Sequence, residues 1–254
     1  FDPVALFGTR EARKMDRFTQ FATAATLEAL EQSGLKIDES NRDRVGILIG
    51  TGIGGIITTI EQYETMKERG PERVSPFLIP MMISDSAAGI LAIRTGARGP
   101  NMAIATACAT GTNALGEAAA IIRRGSADIM LVGSAEAAIM PLAMAGLNAM
   151  TALSTRNDAP EKASRPFDRE RDGFLMGEGA AMLVMESSES AERRQAKILA
   201  EFTGYGTSDD AFHISAPAEN GAGAALCMQL ALDNAGLLPK DIDYINAHGT
   251  STPL

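Results

Sequence analysis

NMAIATACATGTNALGEAAAIIRRGSADIMLVGSA, residues 101–135, decides the fold. Its first seven residues, NMAIATA (101–107), read as a strand. A helix follows over 109–125 and ends at Gly125. ADIMLVGSA (127–135) is a second strand, with another helix after it. Strand, helix, strand is the unit of a parallel sheet, because a chain leaving one strand must cross a face before it can start a parallel neighbour.

The alternation continues in both directions. RVGILIG (44–50) is a continuous apolar run closed by glycine, and so a buried strand. Helices are expected over 54–69 and 81–94. Residues 16–33 put Phe18, Phe21, Ala22, Ala25 and Ala29 on one helical face before Gly34 stops the run. Toward the C-terminus a Gly-, Pro- and charge-rich loop covers 154–179. AAMLVMES (180–187), KILAEFTGYG (197–206) and IDYINA (242–247) read as strands, and 220–236 as a helix stopped by Gly236. The expectation is an α/β fold with a largely parallel sheet covered on both faces. The charged SSESAERRQAK (187–197) is the best boundary between two halves.

Composition narrows the function classes. The 254 residues fit one large domain or two small ones. A 45% hydrophobic, 22% charged chain of mean hydropathy +0.01 is globular, which excludes a disordered tail, a collagen-like chain and a disulfide scaffold. Two cysteines are too few for a secreted framework and point to a reducing, cytoplasmic compartment. No run of about 18 apolar residues exists, so no membrane span is expected. The opening FDPVALFGTREARKMDRF is charged within its first ten residues and does not read as a signal peptide. A net charge of −9 makes a poor nucleic-acid binder. The chain stops at HGTSTPL, just after an expected strand, and starts as abruptly, so a fragment is expected.

Four stretches could carry chemistry. GTGIGG (50–55) has the spacing of a pyrophosphate-binding turn after a strand. A dinucleotide site also needs an acidic residue ending a second strand about 20 residues on. MKERGPERVSPF lies there instead, so a turn for close helix packing is the better reading. IATACATGTNALG (104–116) delivers Cys108 to a sharp turn at the start of a helix, like a nucleophile elbow with cysteine in place of serine. Free N–H groups there favour a thiolate and can hold an oxyanion. An inert buried cysteine is the competing reading, and the elbow favours the nucleophile. Cys227 reads as packing on an apolar helix face, and no C-x-x-C suggests a metal. In NAHGTST (246–252), His248 at a strand end could act on a substrate carbonyl or simply bond to backbone. RPFDRERDGFLMGEG (165–179) reads as scaffold tied down by ion pairs.

TACATG around Cys108, ALSTRNDAPEKASRPFDRERDGFLMGEGA (152–180) and NAHGTSTP (246–253) together resemble the β-ketoacyl-acyl-carrier-protein synthases, most nearly the type II enzymes of bacterial fatty acid synthesis. The likeness runs over essentially the whole chain. It implies a thiolase-like fold, in which two related halves make a five-layer α-β-α-β-α sandwich, incomplete in this chain. Residues 1–187 match the first half without its first strand, and 197–254 the opening of the second. It implies acyl transfer to Cys108, then decarboxylative Claisen condensation with malonyl-carrier protein assisted by His248. Thr250 and Thr252 match the threonines that touch the pantetheine arm. Ile53, Leu78, Ala143 and Leu147 match positions near the acyl pocket. Arg10, Arg13 and Lys14, with Arg73, match the surface that docks the acidic acyl carrier protein. No metal or cofactor is implied, and a homodimer is, paired near the strand of residues 101–107. The family also uses a lysine, a second histidine and a loop with a gating phenylalanine, which would lie beyond residue 254, so the chain could also be a catalytically incompetent fragment. His213, in its DDAFH context, does not match that second histidine. A polyketide-type ketosynthase, a thiolase or similar cysteine acyltransferase, and a non-catalytic chain-length factor compete with the first reading. Chain-length factors lack the cysteine present here.

Overall fold

The computed structural model describes residues 1–253. In chain order the elements are α1 (Pro3–Phe7), α2 (Thr9–Ala12), α3 (Arg17–Ser33), β1 (Val45–Gly50), α4 (Ile56–Arg69), α5 (Leu78–Met82), α6 (Ser86–Thr95), β2 (Asn101–Ile104), α7 (Thr110–Arg123), β3 (Ile129–Glu136), α8 (Pro141–Ala149), β4 (Gly179–Glu186), α9 (Ser188–Arg193) and α10 (Ala222–Ala235). They fall into two compact units, Phe1–Ala138 with Glu178–Ala200, and Ile139–Gly177 with Glu201–Leu254.

The first unit is a sheet between helical layers. Its strand order is β2-β1-β3-β4. β1 runs parallel to β2 and β3, and β4 antiparallel to β3. All six residues of β1 are buried, as a central strand covered on both faces requires. Successive side chains alternate between two cores. Ile47 and Ile49 join Phe18 and Ala22 of α3 and Ala88 and Leu91 of α6. Leu48 joins Ala114, Ala118 and Ile121 of α7. Alanines dominate the facing positions of α7, so its backbone lies close to the sheet.

Asp16 sets the entry to two helices. It is 2% exposed. One carboxylate oxygen accepts the Phe18 N–H at the start of α3, and the other accepts the Thr58 N–H, 2.9 Å away, in the first turn of α4. A carboxylate at two helix N-termini satisfies orphan donors and meets their positive ends. At the other end of α3, Gly34 adopts φ +64 and closes the helix in the left-handed region.

Several expectations need correction. The sheet is mixed, because β4 returns antiparallel. The helix expected over 81–94 is two, broken at Ile83–Asp85. Neither KILAEFTGYG nor IDYINA forms a strand. Both have strand-like side chains, but a strand exists only where a neighbour takes its backbone hydrogen bonds, and the described residues provide none. Instead Gly204 and Gly206 lie against α10, where a Cβ on Gly204 would meet the Ala231 carbonyl and Ala235. His248 therefore does not end a strand. The second sheet of a five-layer sandwich is not formed among the described residues. No described helix is long and apolar enough to cross a membrane.

Candidate active site

β2 ends at Ile104, and the chain turns through a single 3₁₀ turn, Ala107–Ala109, into α7. Cys108 sits in that turn and is exposed. The turn is tight enough to put Ala107 at φ +49, a left-handed conformation that costs a residue with a Cβ about 1 kcal/mol or more. Two hydroxyls hold it. Thr110 Oγ1 accepts the Thr106 N–H at 2.9 Å and donates to the Ala107 carbonyl at 2.6 Å. Asn113 Nδ2 donates to Thr106 Oγ1 at 2.8 Å. No side chain caps α7, whose start lies beside the turn that carries Cys108; its first N–H, that of Thr110, bonds back to the Ala107 carbonyl.

Close approach explains the glycines around it. A Cβ on Gly50 would land on Thr110 Cγ2, and one on Gly111 would stand 2.8 Å from Ser134 Oγ. The start of α7 thus rests on the ends of β1 and β3.

GTGIGG is a packing turn. Gly54 takes φ +76, and a Cβ there would stand 3.1 Å from the Met82 carbonyl. The Gly55 N–H donates to the same oxygen, so the turn that carries Ile53 is pressed onto the end of α5, which begins at Leu78. The start of α4, where a pyrophosphate would sit, already receives the Asp16 carboxylate. The dinucleotide reading falls on that point. Ile53 is 48% exposed and Leu78 half-buried.

In the second unit His248 is exposed and leads a short, tightly bonded segment. Thr250 and Thr252 share a hydrogen bond of 2.6 Å between their hydroxyls. Ser251 between them is 2% exposed, at φ +70. Its hydroxyl accepts the Arg165 N–H at 3.0 Å, and its carbonyl accepts the Gly173 N–H at 2.9 Å. Arg171 donates to the carbonyls of Thr252 and Pro253, both at 2.8 Å. RPFDRERDGF is therefore scaffold, but its work is specific: it fastens the His248 segment, and mainly by hydrogen bonds. Its charge pairs are longer, with Arg165 3.8 Å from both Asp168 and Glu170. Ala143 and Leu147 lie one turn apart on α8, both half-buried. Cys227 is half-buried rather than in a core, and its Sγ donates to the Gly206 carbonyl at 3.1 Å.

The basic cluster is divided. Arg10 and Arg13 are exposed and form no ion pair among the described residues. Lys14 pairs with Glu11 at 3.1 Å. Arg17 lies 2.7 Å from Glu178 and over the Phe21 ring, its side chain still partly exposed. Arg73 is exposed in a 3₁₀ turn.

Comparison with known families decides the kinship. Residues 2–191 match the beta-ketoacyl synthase N-terminal domain, and residues 199–254 the C-terminal domain. The chain belongs to the beta-ketoacyl synthase family. A 3-oxoacyl-(acyl-carrier-protein) synthase 2 of Staphylococcus aureus is 55% identical over 245 residues, 96% of this chain and 60% of that protein. The protein of the same name from Vibrio cholerae is 50% identical over 253 residues, 100% of this chain and 61% of its own length. The chain thus spans about three fifths of the length of the curated relatives it matches. A solved beta-ketoacyl synthase from Burkholderia phymatum matches with TM-score 0.88 and 37% identity, over 99% of this chain and 61% of that one. A structure of a type II PKS acyl-carrier protein in complex with its ketosynthase bound to the hexaketide matches with TM-score 0.86 and 34% identity, over 93% of this chain and 60% of that one. The thiolase-like fold of these synthases is the one this chain adopts, incompletely.

Two sets of residues in this beta-ketoacyl synthase escaped the sequence reading. Glu136, a lone carboxylate closing an otherwise uncharged strand, bonds to the GTGIGG turn. Its polarity at the end of IMLVGSAE was the available signal. Ser251, bonded to Arg165 and Gly173, and Arg171, bonded to Thr252 and Pro253, form the second set, and nothing local marked these bonds across about 80 residues of chain.

Proposed function

We propose that this protein is a 3-oxoacyl-acyl-carrier-protein synthase that elongates a fatty acyl chain by two carbons. The observation that carries the reading is Cys108, exposed in a tight turn at the uncapped start of a helix. Its Sγ attacks the thioester carbonyl of an acyl-carrier protein. Backbone N–H groups beside Cys108, other than those of Ala109 and Thr110, receive the oxyanion. Collapse expels the pantetheine thiolate and leaves an acyl thioester on Cys108. Malonyl-carrier protein then loses carbon dioxide. The electron pair of the broken C–C bond passes to an enolate, whose developing charge His248 stabilises. The enolate carbon attacks the acyl thioester, the C–S bond breaks, and Cys108 leaves as thiolate. Thr250 and Thr252 hold the pantetheine arm, and Ile53, Leu78, Ala143 and Leu147 line the acyl chain.

Arg10, Arg13, Lys14 and Arg73 dock the acidic carrier protein. Local positive charge is needed because the chain as a whole carries −9. The protein acts in the cytoplasm as a homodimer joined along β2. Support for that edge is that, among the described residues, β2 is bonded only to β1 and exposes Asn101 and Met102. A polyketide-type role is the second reading, supported by the solved ketosynthase complex. The higher identity to the synthases named for 3-oxoacyl-acyl-carrier-protein favours the first.

The test is acylation. Incubated with acyl-carrier protein, the full-length enzyme should gain the acyl mass on the peptide containing Cys108. Cys108→Ala should lower condensation by several orders of magnitude. An adduct on Cys227, or undiminished condensation by the variant, sinks the proposal.

A further inference from the structure

We infer that Glu136 is a positioning residue for the acyl side of the site, acting through the 51–55 turn. This rests on the roles proposed for Cys108 and Ile53 and extends them to a residue that neither sequence motif contains. Glu136 is the last residue of β3, half-buried, and no cation pairs with it among the described residues. Its carboxylate is spent on one turn. Oε2 accepts the Gly52 N–H at 2.8 Å, and Oε1 accepts the Thr51 hydroxyl at 3.3 Å. Thr51 passes the constraint on, since its Oγ1 accepts the Gly54 N–H at 3.0 Å. Three points of the turn are thereby fixed around Ile53, which contributes no bond of its own.

The same turn touches the nucleophile's support. A Cβ on Gly52 would stand 3.0 Å from Glu136 Oε2 and 3.7 Å from Ala107 Cα. Gly52, itself exposed, thus lies between the carboxylate and the strained residue that precedes Cys108. One side chain on the end of β3 sets the spacing between the Ile53 turn and the Cys108 turn. Removing its charge loosens that spacing and alters which acyl chains fit, while the 3₁₀ turn keeps its own Thr110 bonds and continues to present the thiol.

Glu136→Gln retains the length and one acceptor oxygen, which makes it the informative variant. Two readouts apply. The Gly52 and Gly54 amides should exchange hydrogen about tenfold faster or more, the range set by losing a charge-assisted bond and the hydroxyl bond it supports. The Ile47 and Ile49 amides of β1 should stay as protected as in wild type. In the full-length enzyme, KM for transfer of a tetradecanoyl group from carrier protein to Cys108 should shift several-fold relative to a hexanoyl group, with kcat for hexanoyl transfer unchanged. Unaltered exchange at Gly52 overturns the anchor. Equal loss for both chain lengths, together with a lower Tm, overturns the positioning role and leaves a structural one. A wild type that transfers neither group refutes the condensing-enzyme reading and the specificity claim with it, while the exchange data still decide the anchor.

Discussion

Gly50→Ala asks whether close packing holds the nucleophile in place. Gly50 ends β1, in register with Ile104 of β2 and Ser134 of β3. Its new Cβ would fall on Thr110 Cγ2 and stand 3.2 Å from the Thr110 carbonyl oxygen. Thr110 cannot swing clear without loss. It is 4% exposed, and its hydroxyl bridges Thr106 N and the Ala107 carbonyl. Either those bonds break or the first turn of α7 moves off the sheet. Overpacking of this kind costs about 1–3 kcal/mol, and a lost hydroxyl bond about 1 kcal/mol. A destabilisation of about 2–3 kcal/mol is therefore expected from urea midpoints. Thr110→Ser supplies the control, because it deletes the methyl and keeps both hydroxyl bonds. In the double variant the nearest atoms to the new Cβ are at 3.2 and 3.4 Å, so about 1–2 kcal/mol should return as coupling energy. Alkylation of Cys108 by iodoacetamide, with Cys227 as internal reference, gives a second reading. Its rate should change in Gly50→Ala and recover in the double variant. A single variant within about 0.5 kcal/mol of wild type, with Cys108 reacting at the wild-type rate, would refute the view that this contact positions the elbow.

Two further outcomes are expected. Reversing Arg13 and Lys14 to Glu should raise KM for carrier-protein substrates, in a salt-sensitive way, and leave a small pantetheine thioester unaffected. Equal loss on both substrates would mean misfolding. Stability should also fall in acid through Asp128. Arg44 donates two bonds to it, at 2.7 and 3.2 Å, and holds its carboxyl below the usual aspartate range. A depressed folded pKa gives stability that is complete above the unfolded pKa of about 3.9 and is lost as pH falls through the folded value. The pair is partly exposed, so the effect is small and salt-sensitive. Asp128→Asn should flatten the fall in urea midpoint below about pH 4, and an unchanged slope would count against it.

Much of the first unit was legible because its signals are local. Gly34, Gly125 and Gly236 all take positive φ at or just beyond the ends of helices, and the apolar run lies wholly buried over 45–50. The Cys108 turn was legible too, since a strand, a small-residue break and a helix are written consecutively in IATACATGTNALG. The acidic cap Asp16 was not singled out, because its second bond is to Thr58, 42 residues away.

What only the tertiary structure decided follows from partners far apart in the chain. Whether 180–187 returns antiparallel, and whether 197–206 or 242–247 is a strand at all, depends on which backbone lies beside it, and side-chain pattern carries no information about that neighbour. Arg17 follows three basic residues in sequence, yet it is committed to Glu178, 161 residues away, and to the Phe21 ring. Glu136 meets Gly52 across 84 residues, and Arg171 meets Thr252 across 81. The sequence alone determined which residues could do chemistry and where helices must stop, because caps, turns and apolar runs act over a few residues. The folded chain alone determined which polar groups hold those residues in place, because a hydrogen bond is made by proximity in space.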